Sequence, residues 1–483
     1  MIAVGLIKEK SGCGALVAAL ISQRGFSVSA SVRPASDSAT SFPVADLKDL
    51  LPLASSIFSI ASGRLVFSPS AILTTWFQRL AQRYAGEGAV VLPLPGKRIL
   101  LVVDRDLSIH ILSQPPSQSA YLPGRLKVQA MSLLAPHALT IAQDEEWLRW
   151  RAFNEAVLCP GSPHPDRSVH LPTIRAAFST PLQSLADIRK RLGAAMLTVV
   201  FGVDPGSPGW KSVDLMPVVN DVQQLADLVN KPLRRLVLGR FQKRRRQRVY
   251  KALGEVWQAS SNGPSPGSLL ACAHALDSHD FDREVLLEQL PHWMFTFQGS
   301  ASILFGRTLV LLLSQPDLLE KVREEVHTVC GSDGPTSEEQ IAHLRLLEAC
   351  VMETGRLYPP VPLTVHRRAS EEIHDGRRVP ADTDILQLFV LLQRPQLPYV
   401  EASEFQPSSW LNGPGACPFS DLFLSGARSC PGKDLILFVL KTGLATILAG
   451  RLPTVPHRAF RHARWPLSFP DRLIRFTVSP SPS

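Results

Sequence analysis

The sequence predicts a mainly α fold with small β-sheets, and three observations carry that reading. The run "WMFTFQGSASILFGRTLVLLL", Trp293 to Leu313, is apolar enough to form a helix in the middle of a core. The segments "SQPDLLEKVREEVHTV" and "IAHLRLLEACVMETGRLYPP" carry helical periodicity, punctuated by proline at the start of one and the end of the other. Strand-like sequence is scarce and centres on "AVVLPLP" and "RILLVVD". With 483 residues and 45% hydrophobic content, the chain is globular and long enough for a large core.

The elements follow in chain order. Near the N-terminus, "CGALVAALIS" is too short to span a bilayer. The serine-rich "QRGFSVSASVRPASDSATSF" with its two arginines is similar to a mitochondrial leader, a reading opposed by Glu9 and Lys10. Residues 1–45 are therefore read as a leader or linker and residues 46–483 as one folded domain. "LLPLASSIFSIA", Leu50 to Ala61, is apolar but short, which suits contact with a membrane surface better than a span. Ala89 to Pro95 and Arg98 to Asp104 form a hairpin turning at Gly96 and Lys97. Between Trp293 and Leu313, Gln298 and Arg307 favour a buried central helix over a membrane segment. Pro316 opens the next helix, with Leu318, Leu319, Val322 and Val326 on one face, and Pro359 with Pro360 stops the one after. No internal repeat is visible, and "SSNGPSPGS" is a short connector.

Charge and cysteine usage narrow the function classes. Lys plus Arg number 51 against 42 Asp plus Glu, a net charge of +9. Much of the excess lies in "RRLVLGRFQKRRRQRVYK", Arg234 to Lys251, whose interleaved Leu, Val and Phe read as a solvated helix face; a nucleic-acid surface or a dock for an acidic protein is the alternative. The seven cysteines, at 13, 159, 272, 330, 350, 417 and 430, include no CxxC pair, so neither a disulfide framework nor a zinc ribbon is indicated. Together with the absence of an NxS/T acceptor, this points to a reducing, intracellular setting. "GPSPG", Gly263 to Gly267, has the letters of a serine-hydrolase elbow but prolines on both sides of Ser265 and no strand leading in. "GARSCPGKD" lacks the spacing and the Ser or Thr of a phosphate loop, and neither HExxH nor GxGxxG occurs.

The stretch "FLSGARSCPG", Phe423 to Gly432, holds a lone cysteine in a tightly specified loop. An apolar helix follows Cys430, and its positive N-terminal end would favour a thiolate. Gly426 and Gly432 let backbone approach something flat and large, Phe423 can stack on it, and Arg428 offers a charge to an acidic edge. Haem, with iron and propionates, meets all four conditions.

Here the chain resembles the cytochrome P450 family. Further segments agree in order. "ETGRLYPPVP" carries Glu353 and Arg356 in the family's E-x-x-R spacing. "VHRRAS" puts Arg367, with Arg368 as second candidate, where the family places a propionate-binding arginine. "EEWLRWR" gives Trp147 and Arg151 in the spacing of its other propionate clamp. Two departures stand out. In "EFQPSSWL" Ser409 replaces the family's arginine, which leaves the Glu-Arg-Arg network without its third member and implies weaker haem retention. In the central helix the usual A-G-x-D/E-T falls on Thr296, Phe297, Gln298, Gly299 and Ser300, so the acid is absent and serine stands for threonine. That helix and "RAFNEAVL" resemble a divergent, largely microbial subgroup.

The resemblance implies a cytochrome P450 fold with haem b ligated by Cys430, contacts to the cofactor from Phe423, Gly426, Arg428, Gly432, Trp147, Arg151 and Arg367, and a proton-relay role for Ser300. It implies monooxygenation of an apolar small molecule, plausible in secondary metabolism. NADPH-derived electrons would come from a separate reductase or ferredoxin docking near Lys433, Lys441 or the neighbours of Arg428. The missing acid keeps open a haem-thiolate isomerase, dehydratase or peroxide-using enzyme, and Ser409 a non-catalytic haem binder. The implied location is intracellular, soluble or attached peripherally to a membrane, and no nucleic-acid partner is implied.

Overall fold

The computed structural model describes residues 40–46, 69–94, 97–132, 134–159, 167–202, 232–260, 266–276, 287–393, 404–411, 422–454, 469, 471 and 475–477. Thr40–Ser41 forms β1, and α1 (Pro69–Arg83) leads into the hairpin of β2 (Ala89–Leu94) and β3 (Lys97–Val102). After them come α2 (Arg105–Ser113), β4 (Tyr121–Pro123), α3 (Arg125–Met131), α4 (Asp144–Leu158), α5 (Leu171–Phe178), α6 (Leu185–Phe201), α7 (Pro232–Ser260) and α8 (Leu269–Leu276). The central helix consists of α9 (Gln289–Thr296), a π turn (Phe297–Ala301) and α10 (Ser302–Leu313). Beyond it lie α11 (Pro316–Cys330), α12 (Glu338–His343), α13 (Arg345–Leu357), β5 (Thr364–Arg368), β6 (Glu372–His374), β7 (Arg377–Val379), β8 (Thr383–Gln387), α14 (Phe389–Leu392) and α15 (Lys433–Ala449). This is the mainly α architecture with small sheets that the sequence predicts.

Local signals account for many boundaries. Asp104 caps α2 by accepting from the amides of Asp106 and Leu107, and Ser184 caps α6 by accepting from Asp187. Ser337 and Gln340 close a capping box on α12, and Pro316 occupies the first turn of α11. Helix α13 stops at Leu357, before the two prolines. The hairpin pairs Ala89 with Val102 through to Leu94 with Lys97; the predicted turn residue Gly96 lies outside the described residues.

Two sheets form among the described residues, one of five strands in the order β2-β3-β8-β5-β4 and one of three in the order β1-β7-β6. The second sheet begins earlier than the predicted boundary near residue 45. Thr40 and Ser41 pair in parallel with Arg377 and Arg378, Phe42 and Ala45 are buried, and Val44 bridges Val91. The folded body therefore includes residues from Thr40.

The predicted helix from Ile341 is broken at Leu344, whose ψ of 72° is not helical. The Glu325 carboxylate on α11 accepts from the amides of Leu346 and Leu347 at 2.7 and 2.9 Å and so caps α13 from another element. The basic segment lies on α7, with its described arginines and lysines largely exposed and Val249 buried, while Arg246 turns towards Glu288 at 3.3 Å. Leu50 to Ala61 and Ser265 lie outside the described residues.

The packing sets the cysteine loop beside the central helix. The central helix, Gln289–Leu313, is long and apolar enough to cross a membrane, but its most apolar window is 67% buried inside the protein. Helix α15 crosses it at Gly443, where an added Cβ would come within 2.7 Å of Phe305 and 2.8 Å of Phe178. Those two rings stack at 4.6 Å, so the closest approach of α15, α10 and α5 depends on the absent side chain. The π turn also touches α15, which begins three residues after Cys430.

Candidate cofactor and active site

The loop before α15 is fixed by its own backbone. The Cys430 amide donates to Phe423 O at 2.7 Å, and Cys430 O accepts from Lys433 at 3.3 Å, which holds the cysteine at the foot of the helix. Gly426 has φ of +57°, and an added Cβ would lie 2.5 Å from Ser113 Cα, so both conformation and space demand glycine where the loop meets the end of α2. At Gly432 an added Cβ would lie 4.0 Å from Cys430 Sγ and 3.9 Å from Leu158, on the flank of the sulfur. Phe423 packs against the main core as well as holding the Cys430 amide.

The thiol is pushed up from its ordinary range, first by burial and less by Asp434, while the Gly432 N–H, Arg151 and Lys433 pull the other way. The helix start therefore does not by itself deliver the thiolate expected from the sequence; a bound cation has to. No described group of three His, Cys, Asp or Glu side chains could hold a bare metal ion, so a metal at Cys430 must bring most of its own ligands.

Trp147 and Arg151 lie one turn apart on α4. Trp147 is buried in the main core. Arg151 donates to Ser429 O and, at 3.1 Å, to Ser429 Oγ, and its Nε reaches Glu155 at 2.6 Å. It thus ties α4 to the residue before the cysteine. Arg428 donates to Gln114 O at 2.9 Å and to Tyr121 O, which anchors the loop to the segment between α2 and β4.

The Glu353–Arg356 pair is buried, with both guanidinium contacts at 2.7 Å. Ser409 is not a gap in this network. Trp410 Nε1 donates to Glu353 Oε2 at 3.0 Å and the Gln406 amide to Oε1 at 3.0 Å, so an indole and a backbone amide complete the carboxylate in place of an arginine. The expected loosening of the haem-side core has no basis in these contacts.

The central helix carries the opposite wall. His292, Thr296, Gly299, Ser300 and Ile303 keep partial exposure, whereas Trp293, Met294, Phe297, Gln298, Ala301 and Ser302 are buried. The π turn, Phe297–Ala301, lies within this stretch. Ser300 therefore lies on the half-open face. Gln298 points away, to Gly193 on α6, where an added Cβ would lie 3.0 Å from its amide. An added Cβ at Gly299 would meet nothing nearer than Phe295 at 3.8 Å, which leaves room on this face where the family carries its acid.

Besides Arg428, already named by the cysteine motif, two basic groups that motif spacing did not reveal, His366 and Lys127, are desolvated and feel its charge. His366 is buried, and its titration is pulled well down, by burial first and then by Arg428 and Lys127. Burial lowers Arg428 to about 10, and burial with Arg428 lowers Lys127 to about 8. Lys127, Arg428 and Cys430 all keep part of their surface while carrying burial-driven shifts, so that surface opens onto an enclosed space. A desolvated thiol that faces this space, next to cations acting on one another, fits haem b with its iron and two propionates.

Arg367 is placed differently from the sequence expectation. On β5 it alternates with His366 and pairs with exposed Asp382 at 3.5 Å, while Arg368 lies 5.0 Å over the Tyr121 ring and donates to Ser370 O. The residue of this strand whose titration is lowered by Arg428 and Lys127 is His366. Strand alternation through "TVHRR" is the signal that could have separated the three. Lys441 is also corrected as a docking residue. It is buried and bonded to Glu348 at 2.8 Å, whereas Lys433 is exposed.

A mainly helical body with one cysteine in a glycine-bounded loop at the foot of a helix, beside desolvated basic side chains, is the arrangement that the sequence reading expects of a haem-thiolate protein. Residues 241–450 match the family model described as Cytochrome P450. The chain is similar to Cytochrome P450 734A6 of Oryza sativa subsp. japonica, 32% identical over 39% of this chain and 35% of that protein. It is also similar to Dimethylnonatriene synthase of Arabidopsis thaliana, 36% identical over 32% of this chain and 31% of the relative. Flavonoid-6-hydroxylase of Mentha piperita is 32% identical over 31% and 30% of the two chains. With the fold and the cysteine loop, these matches support membership of the cytochrome P450 family. The matches span about a third of each of these relatives' length. These three are plant proteins, and the resemblance to a microbial subgroup is not carried by them.

Proposed function

We propose that the chain is a haem-thiolate monooxygenase that hydroxylates or epoxidises a largely apolar small molecule, with NADPH-derived electrons arriving from a separate redox partner. The observation that carries this reading is Cys430, whose sulfur flanks an enclosed cavity at the foot of α15 beside the half-open face of the central helix. Bound haem b would supply oxygen activation and transfer of one oxygen atom to the substrate. The rest falls to the chain's own residues.

Cys430 would give the sulfur ligand, with the Gly432 N–H and Arg151 favouring its anionic form. Arg428 and His366 would face the acidic edge of the cofactor, with Arg151 and Trp147 beside them, and Phe423 with Gly426 and Gly432 would shape the surface on which it rests. Ser300 would hold a transferable proton on its hydroxyl, on the cavity side of the π turn, and the space over Gly299 can take a water where a carboxylate is absent. Exposed Lys433, next to the cysteine loop, suits the approach of an acidic partner.

Gly299 favours a second reading, a haem-thiolate isomerase or dehydratase that needs no oxygen activation. Turnover under isotopically heavy dioxygen, with NADPH and a reductase, separates the two. The monooxygenase reading requires a product that gains one labelled oxygen and requires NADPH. An unlabelled product of unchanged oxidation level, formed without NADPH, would replace it.

A further inference from the structure

The two carbonyls that seat Arg428 share one distant support. Arg428 Nε donates to Gln114 O at 2.9 Å and Nη2 donates to Tyr121 O, which leaves Nη1 without an acceptor among the described residues. Gln114 follows α2 directly, and its side-chain amide meets His110 Nε2, one turn back, at 2.8 Å. His110 Nε2 also lies 2.8 Å from Glu372 Oε1, on β6 of the three-stranded sheet, 262 residues further along the chain. The Tyr121 ring stands edge-on to the His110 ring at 6.1 Å, and Arg368 lies 5.0 Å over the Tyr121 ring and 3.5 Å from the second Glu372 oxygen. Gln114 and Tyr121 are thus both tied to the His110–Glu372 pair.

Burial pushes the Glu372 carboxyl up, but the Tyr121 hydroxyl, His110 and Arg368 together hold it below its ordinary value, so at neutral pH it is a carboxylate that accepts from His110. The His110 and Glu372 side chains are 28% and 16% exposed, so the pair does not fill core volume. What it fixes is direction. A guanidinium is a planar fork that donates along fixed lines, so the aim of Arg428 Nη1 follows from where the two carbonyls stand. Gln114 O stands at the end of α2, and with its side chain released from His110 it loses one of its restraints.

We infer that the His110–Glu372 pair is a positioning element for the cofactor: it holds the Gln114 and Tyr121 carbonyls in place and through them aims Arg428 at the cofactor's acidic edge. The inference rests on the haem reading of the site and adds to it two residues outside the cysteine motif. They act on the cofactor only through Arg428, which sets the form of the test.

The test measures haem transfer from the loaded protein to excess haem-free myoglobin and the reduction potential of the bound haem, with circular dichroism to confirm folding. His110→Phe keeps a ring against Tyr121 and His374 but loses the donor. It releases haem about threefold to tenfold faster than the wild type, the scale of one hydrogen bond, and shifts the potential to more negative values as the Arg428 charge leaves the edge. His110→Gln, whose amide can stand where Nε2 stands, restores both, and Glu372→Leu reproduces His110→Phe. In an Arg428→Lys background, which cannot make the fork, His110→Phe adds nothing further; if Arg428→Lys takes up no haem, the restoration by His110→Gln alone decides. Folded His110→Phe protein with the wild-type release rate and potential overturns the inference, as do losses that His110→Gln does not restore or that add in full to those of Arg428→Lys. Unfolding of both His110→Phe and Glu372→Leu also overturns it, because the pair would then serve the fold at large. Wild-type protein that takes up no haem removes the haem reading itself, and that failure is visible in the absorbance before any variant is made.

Discussion

At Glu353 one carboxylate takes two bonds from Arg356, one from the Trp410 indole and one from the Gln406 amide, and it is buried. Removing a single partner should expose the cost of each. Trp410→Phe leaves one acceptor short and is expected to cost about 1–3 kcal/mol, whereas Glu353→Ala strands the Arg356 charge and is expected to cost about 3–5 kcal/mol. Chemical denaturation of the two variants checks the order, and a Trp410→Phe variant as stable as the wild type would mean that the indole bond is not made. The Glu353–Arg356 spacing was legible in the sequence. The substitution of an indole for an arginine was not, because nothing in "PSSW" tells which atom of residue 410 faces the carboxylate.

His292 gives a pH dependence at the same scale. Its folded value of about 4 lies below the ordinary 6.5, so stability from keeping it neutral is complete above 6.5 and is lost as the pH falls from there towards 4. His366 adds to the loss in the same direction. Stability of haem-free protein should therefore decline through this window, with a shallower decline in His292→Phe. An unchanged slope would mean that His292 is not desolvated.

Among the elements, the cysteine loop and the central helix carry the site. Gly426→Ala puts a side chain at φ +57° and within 2.5 Å of Ser113 Cα, so it should lower haem occupancy and melting temperature; Gly432→Ala, with its nearest contacts at 3.9 and 4.0 Å, should lower them far less. Equal losses would mean that the loop does not depend on its seat against α2. On the central helix, Ser300→Ala should keep substrate binding while slowing turnover, within the ~10²–10⁴-fold span of acid–base contributions, and lowering the product formed per NADPH consumed. Indifference of both would remove the hydroxyl from the proton path. Apolar periodicity revealed the central helix, but not its π turn. That turn is a departure from α-helical hydrogen bonding, and apolar periodicity is the same on either side of it. The break at Leu344 was equally hidden, because its cap is a carboxylate from another helix.

In the whole molecule, local signals were read well and distant pairings were not. The hairpin, the proline-marked helices and the loop Phe423 to Gly432 follow from neighbouring residues. β1 depends on a partner more than three hundred residues away, and Lys127 and His366, which both feel Arg428, lie in two other segments, so none of these leaves a spacing to read. Cys430 joins the two scales. Its loop is local, and the cavity it faces exists only when α4, α15, the central helix and the sheet assemble. The most direct test of that assembly is the absorbance of the reduced carbon-monoxide complex in wild type and Cys430→Ser, with far-ultraviolet circular dichroism to confirm the fold. The wild type should show the red-shifted Soret band of thiolate ligation. The variant should be folded but lack that band, because an alcohol is a poor soft ligand. A folded Cys430→Ser protein that keeps the red-shifted band would contradict the account.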